Sequence, residues 1–280
     1  GRFGTNSDKN DDDLLGFWQQ SEVFRCTDGC QALVKKMVAK LADLKEKYRF
    51  TLLTDTKVTE INVGDSNVTL QWNASTAASK ANPKHAFDYV ILATPPTVWD
   101  LIAIKPDHPK DIMGPLQQGP AVKFFSDLKK RFWIDEKAAP SGIASDIGMI
   151  WEGTDNQTQV GNQGIVLSVF NGGQTTAGRD ESYFKNHLRD LYRGGGYNKA
   201  LKNPRLVSWH KEPYIRTGYS CPKIGHIFTI APKLQEPIHH RLYLAGEHTE
   251  TNFFGFMEGA LRSGRRAAQA VIDKICPAIT

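Results

Sequence analysis

The stretch from Arg241 to Ile275, RLYLAGEHTETNFFGFMEGALRSGRRAAQAVIDKI, constrains the fold of this chain more than any other. Leu242, Tyr243 and Leu244 are consecutive apolar residues, the pattern of a short buried strand. Ala245 and Gly246 are small enough to let another backbone come close. Glu247 to Asn252 are polar and form a turn. A helix is expected from about Gly255, with Met257, Ala260, Leu261, Gly264, Ala267, Ala268, Val271 and Ile272 as its apolar stripe. Gly259, Ala260, Ser263 and Gly264 are small, so this helix can press against a sheet or a flat ligand. A strand that feeds a helix start offers free N–H groups and a positive dipole end, which suits an anionic or electron-rich group.

The 280 residues suffice for one large domain or two modest ones. No apolar run approaches the roughly 20 residues of a membrane span. The N-terminal GRFGTNSDKNDDD is polar and lacks a signal-peptide pattern, and a start at Gly rather than Met leads us to expect a processed or excised chain. A net charge of +5, with bases and acids intermixed, argues against nucleic-acid binding. Cys26, Cys30, Cys221 and Cys276 make no zinc pattern and are expected as free buried thiols, with a disulfide as the alternative. Three Asn-x-Ser/Thr triplets begin at Asn67, Asn73 and Asn156 and leave the compartment open, soluble and secreted included.

Along the chain, residues 1–24 read as an N-terminal extension. A helix follows Arg25–Cys30, capped by Thr27 or Asp28, with Leu33, Val34, Met37, Val38, Leu41 and Leu44 as its buried stripe. Phe50–Leu53 reads as a strand. Lys57–Val63 and Val68–Trp72 alternate around a Gly64–Asn67 turn, as in a hairpin. Phe87–Ala93 is nearly continuous apolar sequence that stops at Pro95-Pro96, a strand covered on both faces. A helix and loop are expected over 97–119. Gly119–Phe125 then carries Lys123 in an apolar strand, where an ammonium is costly unless paired or wet. Residues 145–153 and 164–172 predict two antiparallel strands. Asp180–Arg193 predicts a helix with Phe184, Leu188, Leu191 and Tyr192 inward. Gly194–Gly196 ends it without opening a further helix, so it makes a poor phosphate loop.

LAGE-H-T, then G-F-M-E-G-A, then S-G-R-R-A-A resembles the C-terminal flavin-binding segment of the flavin amine oxidases, which include monoamine, polyamine and L-amino acid oxidases. The resemblance implies a mixed α/β fold: an FAD-binding sheet domain (25–105 with 235–280) and an antiparallel-sheet substrate domain (106–234). It implies non-covalent FAD. The flavin would be held by Gly246, Glu247, Thr249, Gly255, Phe256 and Met257, with the Val58 backbone on adenine. Lys123 resembles the lysine that reaches a water at the flavin edge. Trp209 resembles the tryptophan beside the ring, and Tyr214 the substrate-carboxylate tyrosine of the amino acid oxidases. Read from the residues alone, Val58, Trp209 and Tyr214 fit strand or core packing, and Lys123 fits an edge strand facing solvent. Cys221 lacks the surroundings of a covalent flavin anchor.

The resemblance covers only the C-terminal half or so of a family member, and G-x-G-x-x-G after a strand is absent. A second chain is therefore expected to supply the dinucleotide-binding motif, in a hetero-oligomer such as a dimer of heterodimers. The implied reaction is oxidative deamination of an L-amino acid to a 2-keto acid and ammonia, with oxygen reduced to hydrogen peroxide. The alternatives are a monoamine or polyamine oxidase, an amino acid 2-monooxygenase and, from another class, a flavin-free binding subunit. Neither nucleic acid nor membrane is expected as a partner.

Overall fold

The computed structural model describes residues 26, 28–44, 50–74, 84–106, 116, 118–154, 164–176 and 178–276. The expected extension at 1–24 and the Thr27 cap lie outside them. The chain divides into a unit of residues 1–54 and a unit of residues 55–280.

The first unit contributes α1 (Gln31–Asp43), which begins at Cys30 without a side-chain cap, so Asp28 does not fill that role. The expected apolar stripe forms on the helix yet is not buried. Leu33, Val34, Met37, Val38 and Leu41 are all exposed. Phe50–Leu53 is not a strand, because a strand needs a ladder partner and none of the described residues provides one. Cys26, Cys30, Cys221 and Cys276 are free thiols, but exposed rather than buried.

The second unit opens with the hairpin β1 (Thr56–Val63) and β2 (Val68–Ala74), extended by β3 (Lys84–Phe87). Alternation makes the hairpin: Ile61, Val63 and Val68 point inward while Asn62 and Ser66 face out. β4 (Val90–Leu92) is shorter than expected, and Phe87 belongs to β3. Pro95 and Pro96 then start a 3-10 turn, Pro96–Leu101, which buries Val98 and Trp99. An unexpected β5 (Ala103–Lys105) follows and pairs parallel with β1.

A five-stranded sheet begins after β6 (Gln118–Gly119) with β7 (Ala121–Leu128). Short α2 (Phe132–Asp135) leads to β8 (Gly142–Ala144), β9 (Gly148–Glu152) and β10 (Ile165–Gly172). The antiparallel pairing of β9 with β10 is as the sequence predicts. α3 (Glu181–Leu191) is capped by Asp180, whose Oδ1 accepts from the Tyr183 N–H at 2.9 Å. It buries Phe184 and Leu188, but Leu191 is half exposed, one step off the buried face. The glycine run does open a helix, α4 (Gly196–Ala200). The Gly196 N–H donates to Glu136 Oε1 at 2.6 Å, so a carboxylate of the chain itself occupies that cradle. β11 (Leu201–Ser208) completes the strand order β11-β7-β10-β9-β8. Phe124, Phe132, Phe184 and Tyr197 are fully buried in its core.

The last part holds β12 (Tyr219–Ser220), α5 (His226–Thr229), α6 (Ala231–Gln235), β13 (Leu242–Leu244) and α7 (Met257–Ile275). β12 pairs with β6, and β13 runs parallel to β4 and is buried throughout. α7 buries Gly259, Ser263 and Ala267, four residues apart. A Cβ at Gly259 would stand 2.0 Å from the Phe253 carbonyl oxygen. The packed face is thus the small-residue face, and Met257, Leu261 and Ile272 of the expected stripe are exposed. Small residues win because they let the helix backbone approach the preceding turn. No described helix is long and apolar enough to cross a membrane.

Candidate functional site

Lys123 sits on β7 directly opposite Phe170 of β10 and Val207 of β11. Its neighbours Val122 and Phe124 point into the core, so alternation turns Lys123 to the other face of the sheet. There its Nζ lies 4.5 Å from the centre of the Trp151 ring and 5.4 Å from that of Phe170. An ammonium over aromatic faces is worth about 0.5–2 kcal/mol, which offsets part of its desolvation. The alternative of an edge-strand lysine facing solvent is therefore not what forms: β7 is an interior strand, and Lys123 is half buried.

The aromatic surface continues from there. Phe170 stacks on Tyr219 with centres 6.2 Å apart. Tyr219 in turn lies against Gly255, where a Cβ would be 3.6 Å from the ring. Gly255 has φ 78°, a left-handed conformation that favours glycine. Phe256 and Met257 come next, both exposed, and Phe256 starts α7 without a side-chain cap. Lys123 and the start of the final helix are thus joined through two aromatic rings. Trp209 begins a 3-10 turn two residues beyond Val207 and is half exposed.

The turn before α7 is fixed from several sides. Glu247 accepts the Ser220 N–H at 2.8 Å through Oε1, and the Ser220 hydroxyl and Gly255 N–H through Oε2. The Gly246 N–H donates to Ser263 Oγ at 2.8 Å. Thr249 is fully buried, donating to the Gly246 carbonyl and accepting from Arg266. His248 is buried against Trp99, and burial, reinforced by the nearby Arg266 charge, lowers its pKa to about 4. Glu247 and Thr249 therefore order the turn by bonding within the chain.

Val58 and Tyr214 meet in one cleft of about 490 Å³, shared with Thr94, Val98 and Ile102. The loop bearing Tyr214 is pinned to the Pro96–Leu101 turn. Arg216 reaches both oxygens of Asp100 at 3.1 Å, and the Thr97 hydroxyl donates to the Ile215 carbonyl. Tyr214 itself is mostly exposed. The Thr94 hydroxyl is buried without a partner on the wall of the cleft, a polar group of the kind a bound polar ligand satisfies. Trp151 and Phe170 were not among the expected site residues. Their places depend on strand register, which the sequence does not display.

The family model described as flavin containing amine oxidoreductase matches residues 11–272. A Dictyostelium discoideum protein named "Probable flavin-containing monoamine oxidase A" is 28% identical over 214 residues, 72% of this chain and 44% of its own. An L-amino acid dehydrogenase of Synechocystis sp. is 26% identical over 200 residues, covering 68% and 41%. A solved putrescine oxidase variant superposes with a TM-score of 0.72 at 17% identity, over 89% of this chain and 53% of that one. The chain belongs to the flavin-containing amine oxidoreductase family, whose cofactor is FAD. It spans about half the length of the relatives it matches. The unpartnered Thr94 hydroxyl, the adjoining cleft and the uncapped start of α7 fit that cofactor.

Proposed function

We propose that this chain forms one wall of the catalytic cleft of an FAD-dependent oxidase that deaminates an L-amino acid to a 2-keto acid, ammonia and hydrogen peroxide. The observation that carries the reading is the run of contacts from Lys123 through Phe170 and Tyr219 to Gly255. It joins a cation, an aromatic wall and a helix start, which suit a substrate amine and a flat electron-rich ring. FAD, when bound, supplies the electron acceptor for the carbon–nitrogen oxidation. The protein supplies placement and the exclusion of water.

In this reading Lys123, steadied on Trp151 and Phe170, offers an N–H donor to a water or substrate oxygen. The N–H groups at the start of α7, with Phe256 and Met257, face the electron-rich edge of the ring. Trp209 stands beside the ring, and the Val58 backbone and Gly246 border the remainder of the cofactor. Glu247 acts on the cofactor by holding Gly255 and Ser220 in place. Tyr214 offers a phenol to the substrate carboxylate. The division into an FAD-binding part (25–105 with 235–280) and a substrate-binding part (106–234) belongs to the same proposal. The facing wall and its dinucleotide loop are assigned to polypeptide outside this sequence, either a separate chain in a hetero-oligomer or the remainder of a longer one. The exposed Met257, Leu261 and Ile272 on α7 support a covering partner there.

A monoamine or polyamine oxidase is the second reading. Trp151, Phe170 and Tyr219 suit a substrate without a carboxylate, and the relatives include proteins named monoamine and putrescine oxidase. The Synechocystis relative named for L-amino acids favours the first reading. Peroxide release separates the two when an amino acid and its decarboxylated amine are supplied to the complete protein. Turnover of the amino acid alone supports the first reading, and turnover of the amine alone overturns it.

A further inference from the structure

The sheet face that bears Lys123 carries a second cation. Val207 of β11 lies opposite Lys123, and Arg205 lies opposite Phe125. Residues two apart on a strand share a face, so Arg205 and Phe125 stand on the Lys123 side of the sheet, one row along. On that row the Arg205 guanidinium lies over the Phe125 ring, 5.4 Å from its centre. Phe125 is half buried and Arg205 is exposed. Among the described residues no carboxylate pairs with Arg205. Asp127, one row further on, stands opposite Asn203 instead.

The rows have an order. Phe170, on the Lys123 row, stacks on Tyr219, which leads to Gly255 and the start of α7. A Cβ on Gly172, one row nearer that end, would lie 3.8 Å from the Tyr219 hydroxyl oxygen. The Arg205 row therefore lies beyond Lys123 from the helix start, by the roughly 7 Å that two strand residues span. A substrate whose reacting carbon sits near Lys123 reaches Arg205 with its side chain.

We infer that Arg205 is a specificity-determining residue that binds a carboxylate on the substrate side chain, so that the preferred substrate is a dicarboxylic L-amino acid. The inference rests on the proposed amino acid oxidase reading and narrows its substrate. Stacking on Phe125 takes the flat face of the guanidinium and leaves its N–H edge free, the geometry of a two-point bond to a carboxylate. An acidic side chain gains a charge-assisted pair there that its amide lacks. Lys123 is engaged otherwise, on the rings of Trp151 and Phe170 in the row nearer the helix start.

The test supplies the complete protein with L-glutamate, L-aspartate, L-glutamine and L-asparagine, and reads both calorimetric binding and peroxide release. Wild type should favour an acid over its own amide by about ten- to a hundredfold in Kd and in kcat/KM, as for one charge-assisted hydrogen-bonded pair. Arg205→Gln should erase that preference. Arg205→Lys should keep part of it, because the charge survives and the planar fork does not. Turnover of amino acids with no preference for the acids, or a preference that persists in Arg205→Gln, overturns the inference and leaves the oxidase reading standing. Absence of turnover with every amino acid defeats that reading instead, and calorimetry then decides the inference alone: an acid that binds no tighter than its amide overturns it.

Discussion

Replacing Glu247 by Gln probes the turn with almost no change of shape. The carboxylate serves three donors: the Ser220 N–H on Oε1, and the Ser220 hydroxyl and Gly255 N–H on Oε2. A carboxamide has one oxygen, and its best placement leaves that oxygen on the Gly255 side. The NH2 then faces the Ser220 N–H, donor against donor, and a half-buried amide loses its acceptor. That loss costs about 1–3 kcal/mol, and losing the charge on the two remaining bonds adds about 1 kcal/mol. The total is about 2–4 kcal/mol, or roughly 30- to 1000-fold in the equilibrium for opening the turn. Amide exchange of Ser220 and Gly255 reads the opening, and urea unfolding reads the global part. Glu247→Asp keeps the charge but is a methylene shorter, so it should fall between wild type and Glu247→Gln. If Glu247→Gln matched wild type within about 0.5 kcal/mol with unchanged protection of both amides, the reasoning would fail.

Acid should destabilise the fold through His248. Its pKa falls from 6.5 to about 4 on folding, so between those values the unfolded chain binds a proton that the folded chain does not. Stability is full above pH 6.5 and is lost as pH falls toward 4, by roughly 3 kcal/mol. Unfolding across that range should flatten in His248→Gln. Gly259→Ala forces a Cβ into the Phe253 carbonyl and should cost at least about 3 kcal/mol in a denaturant melt, whereas Gly264→Ala, where a Cβ meets nothing, should be neutral or better. Phe132→Ala empties a fully buried site beside Trp133, Tyr192 and Tyr197 and should cost about 3–5 kcal/mol. Lys123→Met should lower kcat at least about tenfold with little change in the melting temperature; a normal kcat would remove Lys123 from the chemistry.

Local pattern revealed much of this structure. The β1–β2 hairpin follows from alternation across a polar turn, β13 from three apolar residues in a row, and α3 from its spacing and its Asp180 cap. What stayed hidden depends on neighbours distant in sequence. The sequence marks α1 as amphipathic, yet among the described residues its stripe stays exposed. In α7 the larger apolar residues outweigh the small ones in any hydrophobic count, yet close approach to Phe253 turns Gly259 and Ser263 inward. At the site, Lys123 stood out as a charge in an apolar strand. Trp151 and Phe170 did not, because only the register of β7, β9 and β10 brings them together. The Glu247 clasp required β12, a two-residue strand too short to leave a periodic signal.

The central claim is that Lys123 and the start of α7 together border a flavin that receives electrons from an amine. Anaerobic addition of an amine-bearing substrate to the complete protein, followed by visible absorbance, tests it most directly. The account predicts a yellow protein whose flavin bands bleach on mixing, bleach more slowly in Lys123→Met, and return on admitting oxygen. A colourless protein, or flavin bands that no amino acid or amine bleaches, would contradict it.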